Sequence, residues 1–418
     1  MKQTIIALLT LALSTQACTT CPPEKEPYTL QKNDITIEVP PNGFQTQTDQ
    51  LFTIEPITIS DEGVNYQWLV DYEEHSTLKN FEKIFDRGGR YNIQLQAKQA
   101  NLQFNYNYVV LVEETGEVET IGHVNKVFDY LPAVGQFTNK LPKYDTGNTQ
   151  ADMNAKALQR LQGGQIISLG GWGGYVVVGF DKPVKNTAGY CDIRIKGNPF
   201  TAAANPDPNA PKGGSFEPGI IMVMQDANEN GQPDDQWYEL QGSAHHNHTK
   251  EAFYQKGVNT QNDMNFYTDY QMTYHRPDAN STNEKYIRWT DNKGNSGYKA
   301  KSKFHEQSPF PQWVKNESIT FSGTRLPQNG INESNTSTHF VLYKFHYGYA
   351  DNSENFDIDW AVDNNGNPAK LNEINFVKVY SGVNQEIGQL GGCSTEIKSF
   401  EDMNRAGILV KTENETKQ

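Results

Sequence analysis

The sequence has few cysteines, few charged side chains and no apolar run long enough to cross a membrane. Only 4 of its 418 residues are cysteine, which excludes a disulfide-stapled scaffold. Charged residues make up 21% of the chain and the net charge is −14, so the Lys and Arg clusters that bind nucleic-acid phosphates are missing. A spanning helix needs ~20 consecutive apolar residues, and no segment supplies them.

The polarity of the chain comes from Asn, Gln, Ser, Thr, Gly and Tyr, because the mean hydropathy is −0.71 despite the low charge. With 34 Gly, 20 Pro and 11% aromatic residues, this composition is typical of an extracellular β-protein with many loops. Its length predicts two or three domains.

The N-terminus has the pattern of a targeting segment. A basic start, MKQ, precedes the apolar run TIIALLTLAL and the small residues before Cys18. We predict a signal peptide at residues 1–17, lipidation of Cys18 and a Pro-rich lipidated linker at residues 18–27. Thr15 and Gln16 fit a lipoprotein cleavage site loosely, so secretion without a lipid is the alternative.

Period-2 patterning predicts a mainly β fold in two parts. Residues 28–114 contain five strand-like runs and predict an immunoglobulin-like β-sandwich. Residues 115–164 form a junction with one short helix, and residues 165–412 predict a larger β-sandwich or jelly-roll-like domain with long loops that binds a ligand. Cys191 and Cys393 either pair or remain buried thiols.

The first of these parts resembles a PKD-like domain. The resemblance rests on Trp68 in a central strand and on Gly89 and Tyr91, which open a late strand. It implies a spacer or an interaction module without catalytic chemistry.

The strongest chemical motif is the stretch QDANENGQPDD. Alternating oxygen-bearing side chains are how short acidic loops bind Ca²⁺, which takes six to eight oxygen ligands. The ligands that we predict are Asp226, Asn228, Asn230, the backbone carbonyl of Gln232, Asp234 and Asp235.

This loop is not an EF-hand, because Trp237 occupies the position of the bidentate Glu, and Asp235 or Glu239 would supply that carboxylate. The alternative is a polar hairpin. Two weaker stretches, VDNNGNP and TDNKGNSG, predict plain hairpin turns.

Three further stretches are candidates for ligand contacts. The GGWGG turn lacks the pattern of a phosphate loop and indicates a tight turn or close approach of a flat ligand, with Trp172 as a stacking surface or as a core residue. Tyr175 follows it, and Trp237 is one of several aromatic residues on predicted loops. In AHHNH, His245, His246 and His248 either form a solvated loop, bind zinc in pairs, or reach a metal carried by the ligand.

No G-x-S-x-G nucleophile elbow is present, so we expect a binding protein and not an enzyme. A paired-carboxylate glycosidase leaves no such local motif.

Residues 120–410 carry an ordered set of motifs that resembles the large "cell surface protein" domain of bacteroidete lipoproteins: GGWGGYVVVGFDKPV, EPGIIMVMQDANENGQPDDQWYEL, YIRWTDNKGNSGY, SGTRLP and FDIDWAVDNNGNPAKLNEINFVKVYSGV. Members of this family accompany outer-membrane vitamin B12 uptake. The resemblance implies a calcium-containing receptor, lipid-anchored in the outer membrane and displayed on the cell surface. We expect it to bind a corrinoid and to pass it to a TonB-dependent transporter. The alternative is a calcium-stabilised carbohydrate-binding or adhesion protein.

Overall fold

The computed structural model describes residues 27–114, 123–201, 213–255, 262–301, 308–330, 341–387 and 391–412. The predicted signal peptide, Cys18 and most of its linker lie outside these residues. The expected mainly β fold is confirmed, since strands far outnumber helices over the described residues as a whole.

The N-terminal unit contains nine strands: β1 Ile35–Thr36, β2 Phe44–Gln47, β3 Leu51–Ile54, β4 Ile57–Thr58, β5 Asn65–Val70, β6 Glu73–Ser76, β7 Phe81–Ile84, β8 Gly89–Gln99 and β9 Leu102–Glu113. Its main sheet has the order β2-β9-β8-β5-β6, and two smaller pairs, β3-β7 and β1-β4, complete the unit. β2 runs parallel to β9, and the other pairings are antiparallel. The core of this unit lies around Trp68, which is fully buried.

The C-terminal unit contains the remaining strands: β10 Val124–Leu131, β11 Ile167–Ser168, β12 Tyr175–Lys185, β13 Ile193–Lys196, β14 Phe200–Thr201, β15 Gly213–Ser215, β16 Gly219–Met224, β17 Tyr238–Leu240, β18 Tyr267–His275, β19 Ile287–Asp291, β20 Ser296–Lys299, β21 Ser318–Arg325, β22 Leu342–Tyr343, β23 Asn355–Phe356, β24 Ala361–Val362, β25 Glu373–Ser381, β26 Glu396–Ile397 and β27 Ser399–Asp402. Its helices are α1 Gln150–Gln162, α2 Ser243–Asn247 and α3 Ala252–Gln255. Short 3₁₀ turns are present at Lys32–Asp34, His248–Lys250 and Ile358–Trp360.

A six-stranded sheet with the order β10-β12-β25-β16-β17-β24 forms the middle layer of this unit. Helix α1 and the sheet β23-β13-β27 share one hydrophobic core with the six-stranded sheet. The sheet β14-β15-β22 contributes to a second core, to which the six-stranded sheet also contributes residues. Strands buried on both faces need continuous apolar sequence. The run GIIMVM meets this need, since Ile220, Ile221, Val223 and Met224 are fully buried.

The helix predicted before the GGWGG turn is confirmed. Thr149 and Asp152 form a capping box at its start, and Gly163 caps its end. Its buried face consists of Met153, Ala157 and Leu161, which are spaced four residues apart.

Cys191 and Cys393 are buried thiols that do not form a disulfide with each other. In the described part of the chain, no helix is long and apolar enough to cross a membrane. The predicted domain bounds and the PKD-like resemblance stay predictions.

Candidate calcium loop and ligand-binding surface

The loop between β16 and β17 bends around the carboxylate of Asp226. The backbone N–H groups of Asn230 and Gly231 donate to its two oxygens at 3.1 and 2.8 Å. Positive φ angles at Glu229 and Gly231, 56° and 69°, allow this reversal of the chain. The N–H of Asp226 in turn donates to Oδ1 of Asn375 at 2.8 Å, which attaches the loop to β25.

Two further carboxylates turn toward the same loop. Nδ2 of Asn228 and Nδ2 of Asn230 donate to Asp234 at 3.1 Å each. The N–H groups of Ala227 and Asn228 donate to Oδ2 of Asp235 at 2.9 and 3.2 Å. The loop therefore collects three carboxylates and two amide side chains within ten residues.

This set of donors fits a hard cation that binds oxygen. Oδ1 of Asn228 and Oδ1 of Asn230 accept the N–H groups of Asn230 and Gln232 at 3.1 and 2.7 Å, and each amide oxygen has a second lone pair that can face a cation. The carbonyl of Gln232 accepts the N–H of Asp234 at 2.9 Å. Within the described residues, no three His, Cys, Asp or Glu side chains are grouped closely enough to hold a metal. Calcium binding therefore depends on the amide oxygens and stays a prediction.

Two turns elsewhere have part of this geometry. Asp363 Oδ1 accepts the N–H groups of Asn365 and Asn367 at 2.8 and 2.9 Å, as expected of a hairpin turn. Asp291 accepts the corresponding N–H groups of its own turn. The loop of Asp226 differs by the two carboxylates that follow it.

His245 is engaged by its neighbours on both ring nitrogens. Nδ1 accepts the N–H of Gly242 at 3.1 Å and lies 3.0 Å from the hydroxyl of Tyr349. Nε2 therefore carries the hydrogen and donates to Oε1 of Glu239 at 2.6 Å. The side chain is 5% exposed, so the predicted zinc pair with His248 has no available nitrogen on His245.

The bond from His245 to Glu239 connects the Asp226 loop to helix α2. Glu239 lies in β17, which begins three residues after Asp235 and spans about 10 Å. Oε2 of Glu239 also accepts the hydroxyl of Tyr380 at 3.2 Å. The position of α2 thus depends on a strand whose start is set by the loop.

His248 packs among aromatic rings instead of standing in solvent. Its ring stacks on Phe266 with centroids 5.9 Å apart and meets Tyr254 edge-on at 5.7 Å. This burial lowers the pKa of His248. A neutral, packed imidazole is consistent with a structural role.

The third histidine of the AHHNH stretch, His246, is part of a surface that we call the aromatic patch. This patch consists of His246, His346, Tyr347 and Trp360. Tyr347 is its centre, with Trp360 at 5.4 Å, His346 at 5.6 Å and His246 at 6.4 Å between ring centroids. Both histidines are exposed, and Tyr347 and Trp360 are half-buried. The sequence does not identify Tyr347 and Trp360 because more than a hundred residues separate them from His246.

Trp172 is a core residue, and its predicted role as a stacking surface is not supported. The ring is fully buried, meets Tyr270 edge-on at 4.7 Å, and donates from Nε1 to the carbonyl of Thr324 at 3.3 Å. The glycines beside it serve close backbone packing and not a flat ligand. A Cβ on Gly170 would lie 2.1 Å from the carbonyl oxygen of Ala133.

Of the other two predicted contact residues, Tyr175 begins strand β12 of the central sheet and Trp237 lies just before β17. Tyr175 donates its hydroxyl to Asp129 at 2.5 Å, and the ammonium of Lys378 lies 4.5 Å from its ring centroid. Tyr175 is half-buried, and this burial raises the pKa of its hydroxyl, which is already hydrogen-bonded to Asp129. Trp237 is half-buried immediately before β17.

No protein-family model and no curated protein matches the chain. Three solved structures are similar to parts of it. The first is a quinonprotein alcohol dehydrogenase-like protein from Bacteroides thetaiotaomicron, 17% identical, with 22% of this chain and 20% of that chain covered and a TM-score of 0.16. The second is SGBP-B of the Bacteroides ovatus mixed-linkage glucan utilization locus in complex with a mixed-linkage heptasaccharide, 14% identical, with 50% and 46% covered and a TM-score of 0.19.

The third is a SusE-like protein, 8% identical, with 88% of this chain and 96% of that chain covered and a TM-score of 0.21. The chain therefore spans less than half of the length of the first two structures. TM-scores this low carry no argument about fold or function, so the proposals below rest on the residues themselves.

Proposed function

We propose that this protein binds neutral carbohydrate on the cell surface and that the aromatic patch is its contact surface. The single observation that carries the proposal is the cluster of rings around Tyr347. Half-buried Tyr and Trp rings offer rigid apolar faces to the C–H faces of sugars, and polar groups beside them bond hydroxyls. Asn247 and Asp359 are exposed next to His246 and Trp360 in the chain and are such groups.

The corrinoid that we expected from the family resemblance has less support than the carbohydrate alternative. Two parts of that expectation were a Trp172 stacking surface and a histidine of the AHHNH stretch that reaches a metal carried by the ligand. Trp172 is buried and His245 is bonded at both nitrogens, so neither side chain is placed for the role expected of it.

Calcium would act at a distance from the ligand. When bound, the ion would hold the Asp226 loop and with it the start of β17. Glu239 of β17 then holds His245, and α2 places His246 beside Tyr347. In this proposal, calcium stabilises the surface and does not contact the sugar.

The test is a glycan array with residues 22–418, followed by calorimetry with the best neutral oligosaccharide. We expect Tyr347→Ala and Trp360→Ala each to weaken binding about tenfold, because one stacked ring contributes roughly 1.4 kcal/mol. Tyr298→Ala is the matched control, since this tyrosine is 49% exposed on a different sheet. Equal affinities for all three variants would refute the assignment to the patch.

A parallel size-exclusion run with excess cyanocobalamin decides between the two ligand classes. Corrinoid absorbance in the protein peak, together with an empty glycan array, would overturn the carbohydrate proposal. A colourless peak of folded protein would leave it standing.

Surface display is part of the same proposal and depends on a lipid at Cys18. We expect Cys18→Ser to release the protein from the membrane fraction of expressing cells, while Cys21→Ser stays membrane-bound. Delivery to a TonB-dependent transporter remains a proposal that follows from the family resemblance.

A further inference from the structure

A cleft of about 350 Å³ lies where the N-terminal unit meets the segment before β13. The N-terminal unit contributes Tyr72, Asn92 and Tyr108 to its lining, and the C-terminal unit contributes Ala188 and Tyr190. Ligand pockets typically measure ~300–1,000 Å³ and occur preferentially at domain interfaces. The size and the place of this cleft therefore both suit a ligand.

The walls of the cleft are held together by bonds between the two units. The hydroxyl of Tyr72 donates to the carbonyl of Asn186, and Nδ2 of Asn92 donates to the same oxygen at 3.2 Å. Behind Tyr190, the guanidinium of Arg90 lies 5.8 Å from the ring centroid. A cleft held in this way is formed before any ligand arrives, so less ordering opposes binding.

The turn that places Tyr72 in the cleft has an unusual backbone. Asp71 and Tyr72 have positive φ angles of 48° and 70°, in a hairpin turn that ordinarily favours Asn and Gly. A large aromatic residue in this region costs of order 1 kcal/mol. The interdomain bond of Tyr72 offsets part of this cost and fixes the ring at the cleft.

The chemistry of the lining selects a neutral ligand. Among the residues that the structure describes, no Asp, Glu, Lys, Arg or His lines the cleft, although the whole chain carries a net charge of −14. The amide residues Asn92, Gln94 and Asn107 are the polar part of the lining, and the rest is formed by three tyrosines and by small or apolar residues such as Phe44 and Val109. Amides donate and accept at once, as sugar hydroxyls do, and tyrosine rings provide apolar faces.

We propose that this interdomain cleft is a second site for neutral carbohydrate, separate from the aromatic patch. The class of ligand, neutral carbohydrate, rests on the proposed function. The position of the site rests on the size and the lining of the cleft. Two sites on one chain would bind successive parts of a polysaccharide, and the second contact would then be intramolecular and raise the avidity.

Hydroxyl-radical footprinting of residues 22–418 reads both sites in one experiment. The probes are neutral hexasaccharides of glucose, xylose and mannose, each added separately. We expect at least one of them to reduce the oxidation of Tyr108 and Tyr190, as well as that of Tyr347 and Trp360. Oxidation of Tyr298 should not change.

The outcomes separate the two proposals. Protection of Tyr347 and Trp360 without protection of Tyr108 and Tyr190 would overturn the cleft site and leave the proposed function intact. Protection of the cleft tyrosines alone would support the cleft and refute the patch. If no probe protects either site and no glycan on the array is bound, both the cleft site and the proposed function are refuted.

A mild variant tests the cleft without disturbing the interface. Asn107 is exposed on β9, and its Oδ1 accepts from Nε2 of Gln94 at 2.8 Å. We expect Asn107→Ala to weaken binding to the cleft at least fivefold with an unchanged Tm. Gln103→Ala, at an exposed position of the same strand outside the cleft, is the control. Equal affinities for the two variants would contradict the proposal.

Discussion

The guanidinium of Arg90 lies 2.9 Å from the carboxylate of Asp192, and both side chains are completely buried. Arg90 belongs to β8 of the N-terminal unit, and Asp192 directly precedes β13 of the C-terminal unit. Arg90 also donates to the carbonyls of Cys191 and Ile408 at 2.9 and 3.1 Å. Burial of an ion pair is tolerated only with such additional hydrogen bonds. This pair therefore fixes how the two units meet beside the cleft.

Removing one partner of this pair leaves an uncompensated buried charge. We expect Arg90→Met to lower the free energy of unfolding by about 3–5 kcal/mol. The measurement is urea denaturation followed by tryptophan fluorescence.

The control is the double variant Arg90→Met with Asp192→Asn, which removes both charges and keeps an amide oxygen for one of the buried N–H groups of Thr187 and Ile358 that Asp192 accepts. It should regain part of the lost stability, because no unpaired charge remains buried. A double variant as unstable as the single one would contradict this account.

Calcium should stabilise the C-terminal unit through the Asp226 loop. At a calcium concentration 100 times Kd, binding contributes about 2.7 kcal/mol. For a unit of ~250 residues, this corresponds to about 5–10 °C in Tm. Differential scanning fluorimetry with and without EGTA measures the shift.

Asp226→Ala should abolish the EGTA effect. Asp363→Ala should keep it, because the turn of Asp363 lacks the trailing carboxylates. If EGTA leaves the Tm of the unaltered protein where it was, the calcium prediction is wrong.

Three buried carboxyls, Glu217, Asp351 and Glu396, should make the protein less stable as the pH rises. Burial raises the pKa of each, and that of Glu396 rises to about 7. Between pH ~4.5 and ~7 the folded state thus holds more protons than the unfolded state. The stability that these protonated carboxyls contribute is fully present below the pKa that they have in the unfolded state. It is lost as the pH rises through the pKa that they have in the folded state.

Thermal scans between pH 4.5 and 8 measure this slope. Asp357 and Asp402, whose pKa values burial raises to about 6, add to it in the same direction. Glu396→Gln should flatten the upper part of the profile, whereas Glu354→Gln, at an exposed position, should leave it as it is. An unaltered profile in Glu396→Gln would show that Glu396 does not titrate in this range.

Trp172→Ala should lower the free energy of unfolding by about 3–5 kcal/mol, because a fully buried indole leaves a cavity. Folded protein of this variant, prepared at low temperature, should bind the array oligosaccharide as tightly as the unaltered protein. Loss of affinity without loss of stability would restore Trp172 as a contact residue.

Much of the local structure could be predicted from the sequence, because it depends on short-range patterns. The helix around Met153 follows from a four-residue apolar repeat and a cap at Thr149. The bend at Asp226 follows from alternating Asp and Asn, whose side chains bond the backbone two and four residues on.

The aromatic patch could not be predicted in this way. His246 lies about a hundred residues before His346, Tyr347 and Trp360 in the chain, and the sequence does not distinguish a half-buried ring on a loop from a ring in the core. Trp172 illustrates the difficulty: a glycine-rich turn with a central Trp is typical of an exposed tip, yet neighbouring strands cover it.

The sequence by itself determined the class of fold, the strands of the central sheet other than β10, and the acidic loop, since each depends on residues that are neighbours in the chain. Tertiary structure alone decided which aromatic rings are exposed, that His245 lies against Tyr349, and that Arg90 and Asp192 join the two units. The physical reason is that burial and ion pairing depend on contacts between segments that are far apart in the chain, 104 residues for His245 and Tyr349 and 102 for Arg90 and Asp192. No local pattern of side chains encodes those contacts.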